Sequence, residues 1–235
     1  QELAESIATV AGGAGLPTVA LVTPMDQPLA SAAGNAVEIR YAVDYLEGRH
    51  RDTRLHGVTM ALAAEMLVLG GLAPDLAAAE DRLERVLMNG RAAEIFQAMV
   101  AALGGPADLM EHPDKHLPRS PLVKPVVAAR AGTVTAFDTR AVGMAVVALG
   151  GGRRRAADPV DHAVGLTDLV ALGDRVEVGQ PLALVHARDE AGFAAAASAL
   201  AGAVTISDHG AVKEAAFWSP ALATVSRFSW AGELS

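Results

Sequence analysis

Apolar residues in the first hundred positions recur with the 3.6-residue period of a helix. The pattern predicts helices at residues 3–12, 35–47, 58–69, about 75–88 and about 95–103, each followed by glycine or by an Asn-Gly pair. Asp75 is the candidate N-cap of the fourth. The stretch 58–69 is apolar on nearly all sides, which predicts a central helix. The fifth helix carries one apolar stripe, formed by Ile95, Phe96, Met99, Val100 and Leu103.

One apolar segment lacks the helical period. Residues 17–23 read Pro-Thr-Val-Ala-Leu-Val-Thr, a short run rich in β-branched residues that predicts a buried strand of the parallel type. It follows a predicted helix and a Gly12-Gly13 turn, and a second predicted helix comes after it. This order of elements is typical of an α/β layer.

The pattern changes after residue 105. Residues 106–124 contain four prolines among mixed charges and predict a linker or crossover. Beyond it, short strands are predicted at 126–129, 132–137, 165–167, 175–179, 181–186 and 203–206, with helices at 141–149 and 193–200. The predicted fold class is α/β: a partial mixed-sheet domain over 1–105, then a β-rich (α+β) region over 125–208. The tail 209–235 is not assigned.

Composition excludes several classes of function. The chain of 235 residues has 27 acidic and 19 basic residues, a net charge of -8 that argues against nucleic acid or an anionic membrane as partner. No apolar run reaches the roughly 20 residues of a membrane-spanning helix. The absence of cysteine rules out disulfides and a thiolate nucleophile. A cytoplasmic location fits these features.

The chain opens with Gln1-Glu2-Leu3-Ala4-Glu5, without an initiator methionine or a signal-peptide pattern. Helical periodicity is present from the first residues. We therefore expect a fragment, a processed chain or a truncated gene product.

Three segments in this order and spacing carry a family resemblance. They are residues 25–38 (MDQPLASAAGNAVE), residues 143–154 (GMAVVALGGGRR), and residues 164–182, with Val-Gly-Leu at 164–166, Leu-Gly-Asp-Arg-Val at 172–176 and Gly-Gln-Pro-Leu at 179–182. Together they resemble the second half of the thymidine phosphorylases, within the wider pyrimidine-nucleoside phosphorylase family. The likeness runs from about Leu3 to Asp208. On this resemblance, 1–105 is the second half of the phosphorylase α/β domain and 125–208 is the family's C-terminal domain.

The resemblance implies reversible phosphorolysis of thymidine to thymine and 2-deoxyribose 1-phosphate. Family members are homodimers, and a small helical domain and a larger α/β domain close around a cleft that holds thymidine and phosphate. Phosphate is a co-substrate and no organic cofactor is implied. Such chemistry needs charge stabilisation on phosphate and on the departing base rather than a protein nucleophile.

The family's catalytic motifs have no counterpart in this sequence. Its glycine-rich phosphate loop and its base-holding His, Arg, Ser and Lys precede the region that the resemblance covers. No catalytic residue is therefore assigned, and we expect the chain to be inactive alone. One alternative is a non-catalytic chain that complements a separate N-terminal segment. Another is an autonomous carrier or binding module.

A potassium site is one candidate that the resemblance supplies. Some family members hold the ion with backbone carbonyl groups at the positions of Leu29 and Ala32, a reasonable arrangement for a hard cation. The matching acidic side chain falls at Tyr41 in this sequence. The alternative is a turn that packs against the next helix.

The second candidate is the loop of Gly150, Gly151, Gly152, Arg153 and Arg154. Glycines let backbone N–H groups approach an anion, and arginines add charge. The segment lacks the Lys-Ser/Thr of a phosphate loop. On the resemblance it borders the cleft and becomes ordered on closure; a structural turn and a direct phosphate contact are the other interpretations.

Two polar clusters have simpler interpretations. One, formed by Glu111, His112, Asp114 and His116, resembles a loose metal site but lies in the Pro-rich segment, which favours solvated side chains. The other, formed by His186, Arg188 and Asp189, follows a predicted strand without a nucleophile partner, which favours a polar strand end.

The hairpin at 172–185 resembles biotinyl- and lipoyl-type barrel-sandwich modules, which present a lysine at a turn. The lysines of this chain are Lys115, Lys124 and Lys213, all outside the hairpin. The resemblance therefore predicts a barrel-sandwich-like sub-fold and argues against the carrier function.

Overall fold

The computed structural model of the protein describes residues 2–208. Within this range the chain forms two compact units. Residues 2–24 and 53–89 make the helical unit, and residues 25–52 and 90–208 make the sheet unit. The predicted tail 209–235, with Lys213, lies outside the described residues.

Helices predominate in the first half of the described chain, and most of the strands lie in the second half. The helices are α1 Glu2–Gly13, α2 Ala36–Leu46, α3 Thr53–Leu69, α4 Leu76–Met88, α5 Arg91–Ala102, α6 Pro113–His116, α7 Thr139–Val146 and α8 Glu190–Ala203. A further turn, Val147–Gly151, extends α7 and includes a kink at Gly150. The strands are β1 Ala33–Gly34, β2 Leu122–Val127, β3 Gly132–Phe137, β4 Gly165–Thr167, β5 Arg175–Val176, β6 Pro181–Ala187 and β7 Val204–Ser207.

The helical unit contains α1, α3 and α4. The predicted cap of α4 is confirmed, because Asp75 Oδ1 accepts a hydrogen bond of 2.8 Å from the backbone N–H of Ala78. Helix α3 is less buried than its sequence predicts. Leu62 is 47% exposed and Met66 is 70% exposed, so one side of this helix is open and the prediction of a central helix was wrong.

The strand predicted at 17–23 is absent: residues 16–25 have no regular structure. A strand needs a neighbour to receive its backbone hydrogen bonds, and none of the described strands pairs with this segment. The apolar, β-branched composition was therefore not sufficient to define a strand.

In the sheet unit, α2 and α5 lie where the sequence predicts helices. The apolar residues of these two helices are not all buried. In α2 the apolar residue Ile39 is 39% exposed, while Tyr41 and Tyr45 are buried. Helix α5 has no buried residue, and Ile95 and Leu103 of the predicted apolar stripe are 53% and 81% exposed. Periodicity located the apolar stripes and did not show which of them are covered.

Two antiparallel sheets form the β-rich part. One has the strand order β1-β4-β6-β2 and the other β5-β3-β7. Strand β2 begins at Leu122, inside the stretch predicted as a linker. Helices α7 and α8 cover the shared core, whose largest fully buried side chains include Leu166, Leu200, Val134, Val142, Val176 and Val185. The predicted α/β class with a sheet-containing C-terminal region is confirmed.

The hairpin at residues 172–185, which resembles barrel-sandwich modules, connects the two sheets through backbone hydrogen bonds. Gly179 N–H donates to Ala128 O at 2.9 Å, and Gly173 N–H donates to Val134 O at 2.9 Å. Both glycines have left-handed φ angles, 82° and 93°, which other L-residues adopt at a cost. The glycines therefore allow the tight turns on which the hairpin depends.

Strands β1 and β4 approach unusually closely at Gly34 and Gly165, which are paired in register. A Cβ atom on Gly165 would lie 2.6 Å from Ala33 O and 2.8 Å from Val37 Cγ2. A Cβ atom on Gly34 would lie 2.8 Å from the same methyl group and 2.9 Å from Val164 O. Only glycine fits either position, so this pair fixes the start of α2 against the sheet.

Gly165→Ala is expected to destabilise the sheet unit by about 2 to 4 kcal/mol, because the methyl group must displace backbone and the φ of 158° is strained for alanine. Urea denaturation monitored by circular dichroism measures the change. The matched control is Gly143→Ala within α7, where no atom lies within 4 Å of the added Cβ, and which should be neutral or stabilising. Equal stability of both variants would contradict the close-approach argument.

Candidate functional site

The sheet unit contains a cavity of about 600 Å³ beside the start of α2 and the edge of the larger sheet. Polar side chains dominate its chemistry. Arg40, His50, Arg119 and His186 contribute basic groups, and Asp44 and Asp168 contribute acidic ones. Ala32 and Ser31, from the first motif of the resemblance, also line it.

Asp52 organises the edge of this cavity. Its Oδ2 accepts hydrogen bonds from Ser31 N–H at 2.7 Å and from Ser31 Oγ at 2.8 Å. Its Oδ1 lies 3.2 Å from His50 Nε2. Its backbone N–H donates to the Tyr41 hydroxyl oxygen at 2.8 Å, and the Tyr41 ring meets His50 edge-to-face at 5.2 Å. These four residues form one connected group, which we call the Asp52 network.

The Asp52 network contains a serine, a histidine and an aspartate, but it is not arranged as a hydrolytic triad. In a triad the two ring nitrogens of histidine contact different partners, one the serine and the other the aspartate. Here His50 Nε2 faces both Ser31 Oγ, at 3.2 Å, and the Asp52 carboxylate. The Ser31 hydroxyl donates directly to the Asp52 carboxylate, so the histidine does not stand between them as the base of a triad.

Burial and hydrogen bonding shift the pKa values in this network. Desolvation by itself raises the pKa of Asp52, but the hydrogen bonds from Ser31 outweigh it and hold that pKa below its usual value. Burial raises the pKa of the Tyr41 hydroxyl. At neutral pH the network therefore holds a charged carboxylate beside a neutral phenol.

The candidate potassium position lies in the same loop. Leu29 and Ala32 flank Ser31, and at position 41 a phenol hydroxyl stands where the resemblance expects a carboxylate. The carboxylate that does approach is Asp52, and both of its oxygens face donors on Ser31 or His50. The potassium contact of the Leu29 and Ala32 carbonyl groups remains a prediction.

The inner part of the cavity is also held by hydrogen bonds. His186 Nε2 lies 3.0 Å from Thr167 Oγ1, and burial lowers the pKa of this imidazole. Arg40 pairs with Asp114, and its Nη2 donates to Leu117 O at 2.9 Å. The cavity therefore has fixed walls rather than free charges at these positions.

The loop 150–154 is constrained at both ends. Asn35 Nδ2 donates to Gly151 O at 2.8 Å, and Asp161 N–H donates to Gly150 O at 2.8 Å. At the far end, the Asp158 carboxylate accepts from Arg154 N–H at 3.2 Å and from Arg155 N–H at 2.9 Å. Those N–H groups are therefore already bonded to a carboxylate in this structure, and the side chains of the arginines are exposed.

The two polar clusters of the sequence do not converge on a site. His116 pairs with Asp108, Asp114 with Arg40 and Arg119, and Arg188 with Asp161, while Asp189 caps α8 by accepting from Gly192 N–H at 2.7 Å. In the described part of the chain no three or more His, Asp or Glu residues are grouped as a metal ion requires. Ion pairing and helix capping account for Asp114, His116, Arg188 and Asp189, while His186 lines the cavity described above.

Sequence reasoning missed Asn35 and Asp52. Asn35 lies in the first motif and was interpreted only as the start of a helix. Asp52 reaches Ser31 across 21 residues of sequence, and Asn35 reaches Gly151 across 116. An asparagine at a helix start is a local signal, but its distant partner is not encoded in any local pattern.

Comparison with protein families defines the class. Residues 1–93 match the model of the glycosyl transferase family a/b domain, and residues 133–207 match the pyrimidine nucleoside phosphorylase C-terminal domain. Together the matches take in more than half of the chain, and they define a protein of the pentosyltransferase type. The chain is a pyrimidine nucleoside phosphorylase-like protein that carries this a/b domain and this C-terminal domain. Among the described helices none is long and apolar enough to cross a bilayer.

Asp52→Ala is expected to destabilise the protein by about 1 to 3 kcal/mol at pH 7, because it removes a charged acceptor from two Ser31 donors. The pKa of Asp52 is lowered in the folded state, so its contribution is fully present above the unfolded pKa of about 4. It is lost as the pH falls through the lower, folded pKa. Denaturation series in urea between pH 7 and pH 2 measure both effects.

The difference in unfolding free energy between wild type and Asp52→Ala should therefore narrow below pH 4. Asp44→Ala is the matched control, because Asp44 is an exposed carboxylate of the same cavity whose ion pair with Arg49 is at the surface. A pH-independent difference for Asp52→Ala would contradict the assigned pKa shift.

Proposed function

We propose that this chain is part of a thymidine phosphorylase, which reversibly converts thymidine and phosphate into thymine and 2-deoxyribose 1-phosphate. The match of residues 133–207 to the pyrimidine nucleoside phosphorylase C-terminal domain carries the proposal. The three motif segments favour the thymidine-specific branch. In the forward reaction a phosphate oxygen forms a bond to C1′ while the C1′–N1 bond breaks, and the base leaves with the electron pair.

The role proposed for the described residues is that of a frame and a cleft wall. The phosphate and the departing base both carry negative charge in the reaction, and its acceleration depends on donors and cations aimed at them. Most of the basic side chains that line the cavity already contact a carboxylate of this chain. Arg40 and Arg119 pair with Asp114, and His50 faces Asp52. This supports the proposal that the phosphate- and base-binding groups belong to a preceding segment.

Activity is therefore expected only after complementation. The 235-residue chain alone should give no thymidine phosphorolysis, and adding a segment that carries a family phosphate loop should restore it. Chromatographic measurement of thymine release, with thymidine and uridine compared as substrates, tests activity and specificity together. Phosphorolysis by the chain alone would contradict the proposed division of roles, and faster release of uracil than of thymine would contradict the substrate assignment.

We also propose that the active form is a cytoplasmic homodimer. The exposed apolar stripe of α5, with Ile95, Met99 and Leu103 on the surface of a single chain, is compatible with further burial in an assembly. Sedimentation velocity of the chain, alone and after complementation, measures the oligomeric state.

The proposed position of the 150–154 loop is the border of the cleft. Its glycines are held by Asn35 and Asp161, while the side chains of Arg153 and Arg154 are exposed and form no ion pair with the other described residues. In a border role the two guanidinium groups can contact the other side of the cleft when it closes. They need not bind phosphate while the cleft is open.

Replacement of both arginines, Arg153→Ala with Arg154→Ala, separates a border role from direct binding. A border role predicts a KM for phosphate within about threefold of wild type in the complemented enzyme, whereas loss of two direct charged contacts predicts a rise of at least about tenfold. Steady-state kinetics at varied phosphate measures the difference. Arg155→Ala is the matched control, because Arg155 already pairs with Asp158.

A further inference from the structure

Asn35 occupies the N-cap position of α2 but does not cap the helix. A capping asparagine normally accepts a hydrogen bond from the second or third N–H group of its helix. Asn35 has φ -121° and ψ -79°, and its side chain makes no such bond. Its amide nitrogen instead donates to Gly151 O, at 2.8 Å. A side chain suited to local capping is thus used for a contact 116 residues away.

The carbonyl that Asn35 contacts belongs to an irregular part of the backbone. Residues 147–151 form a short segment that continues α7 and kinks at Gly150, where a left-handed glycine ends the helix. Within it Gly150 has φ 98°, and a Cβ atom on Gly151 would lie 2.9 Å from Val146 Cγ1. The end of this helix is therefore held by close packing on one side and by the Asn35 amide on the other.

Helix α2 has other means of stabilising its start. Glu38 Oε1 accepts from Gly34 N–H at 2.7 Å, and Ala36 N–H donates to His162 O at 3.0 Å. Two groups at the helix start thus have partners without the Asn35 side chain. The amide of Asn35 is consequently available for the loop.

We propose that Asn35 is a positioning residue for the 150–154 loop: its amide fixes the Gly151 carbonyl and thereby sets the direction in which the Arg153-Arg154 tip leaves α7. The positioning of the loop is inferred from the geometry alone. Its effect on catalysis rests on the proposed function. A loop released at Gly151 samples more orientations, and closure of the cleft over substrate must then order it again.

Asn35→Asp tests the proposal with nearly unchanged shape. The carboxylate can cap α2 and interacts favourably with the helix N-terminus, but it cannot donate to Gly151 O and instead places an oxygen against that carbonyl. The loop should open more often while the fold persists. Limited trypsin digestion reports on this opening, because Arg153, Arg154 and Arg155 are consecutive, exposed cleavage sites.

The measurement is the initial rate of cleavage after residues 153–155 in the full 235-residue chain, identified by intact-fragment mass spectrometry. For Asn35→Asp we expect this rate to rise about five- to tenfold, with a melting temperature within about 3 °C of wild type. Asn89→Asp provides the matched control, since Asn89 is the C-cap of α4 in the other unit. This control should leave cleavage at 153–155 unchanged.

Asn35→Ser keeps a good capping residue that is too short to reach Gly151, and it serves as the second variant if Asn35→Asp fails to fold. It should raise the same cleavage rate. An unchanged rate in a folded Asn35 variant overturns the proposal, and so does an equal rise in Asn89→Asp.

A kinetic measurement separates this inference from the proposed function. In the complemented enzyme, a loop-positioning role predicts that Asn35→Asp lowers kcat about tenfold, with the KM for thymidine within about twofold. Absence of phosphorolysis in wild type would contradict the proposed function and leave the trypsin result standing. Wild-type activity together with unchanged kcat in the variant would overturn the catalytic consequence of the positioning.

Discussion

The close approach of β1 and β4 at Gly34 and Gly165 is the constraint on which the rest of the sheet unit depends. Any side chain at either position would meet backbone atoms or Val37 at less than 3 Å. Because both residues are glycine, the short strand β1 joins the larger sheet and α2 begins at once beside it. The first motif is thus attached to the C-terminal region by packing rather than by charge.

Two features of the site follow from this attachment. Ser31 precedes β1, so the Asp52 network forms where the loop 25–32 enters the sheet. Asn35 follows β1 directly, so its amide lies within reach of Gly151. The pairing of β1 with β4 therefore places both the Asp52 network and the contact between Asn35 and Gly151. This is why residues distant in sequence lie together in the sheet unit.

The charged side chains of the described residues fit the frame role proposed for them. Arginines and aspartates in the sheet unit are mostly paired with one another, as in Arg188 with Asp161 and Arg155 with Asp158. Such exposed pairs contribute little stability individually but fix side-chain directions. A pyrimidine nucleoside phosphorylase-like protein needs a framework of this kind and also groups that hold phosphate and base. No phosphate- or base-binding group is assigned to the described residues.

The sequence by itself determined the local structure. The glycine-terminated helices, the Asp75 cap, β3 and β6 depend on signals within about a dozen residues, and they were predicted. The family resemblance was also found from the sequence, in the order and spacing of three short segments. Only the tertiary structure decided which apolar faces are covered, that residues 17–23 form no strand, and that Asn35 and Asp52 bond to Gly151 and Ser31. Strand pairing and side-chain contacts join residues tens of positions apart. These contacts stabilise the protein only once the chain has folded and brought the partners together, so the local periodicity of the sequence does not predict them.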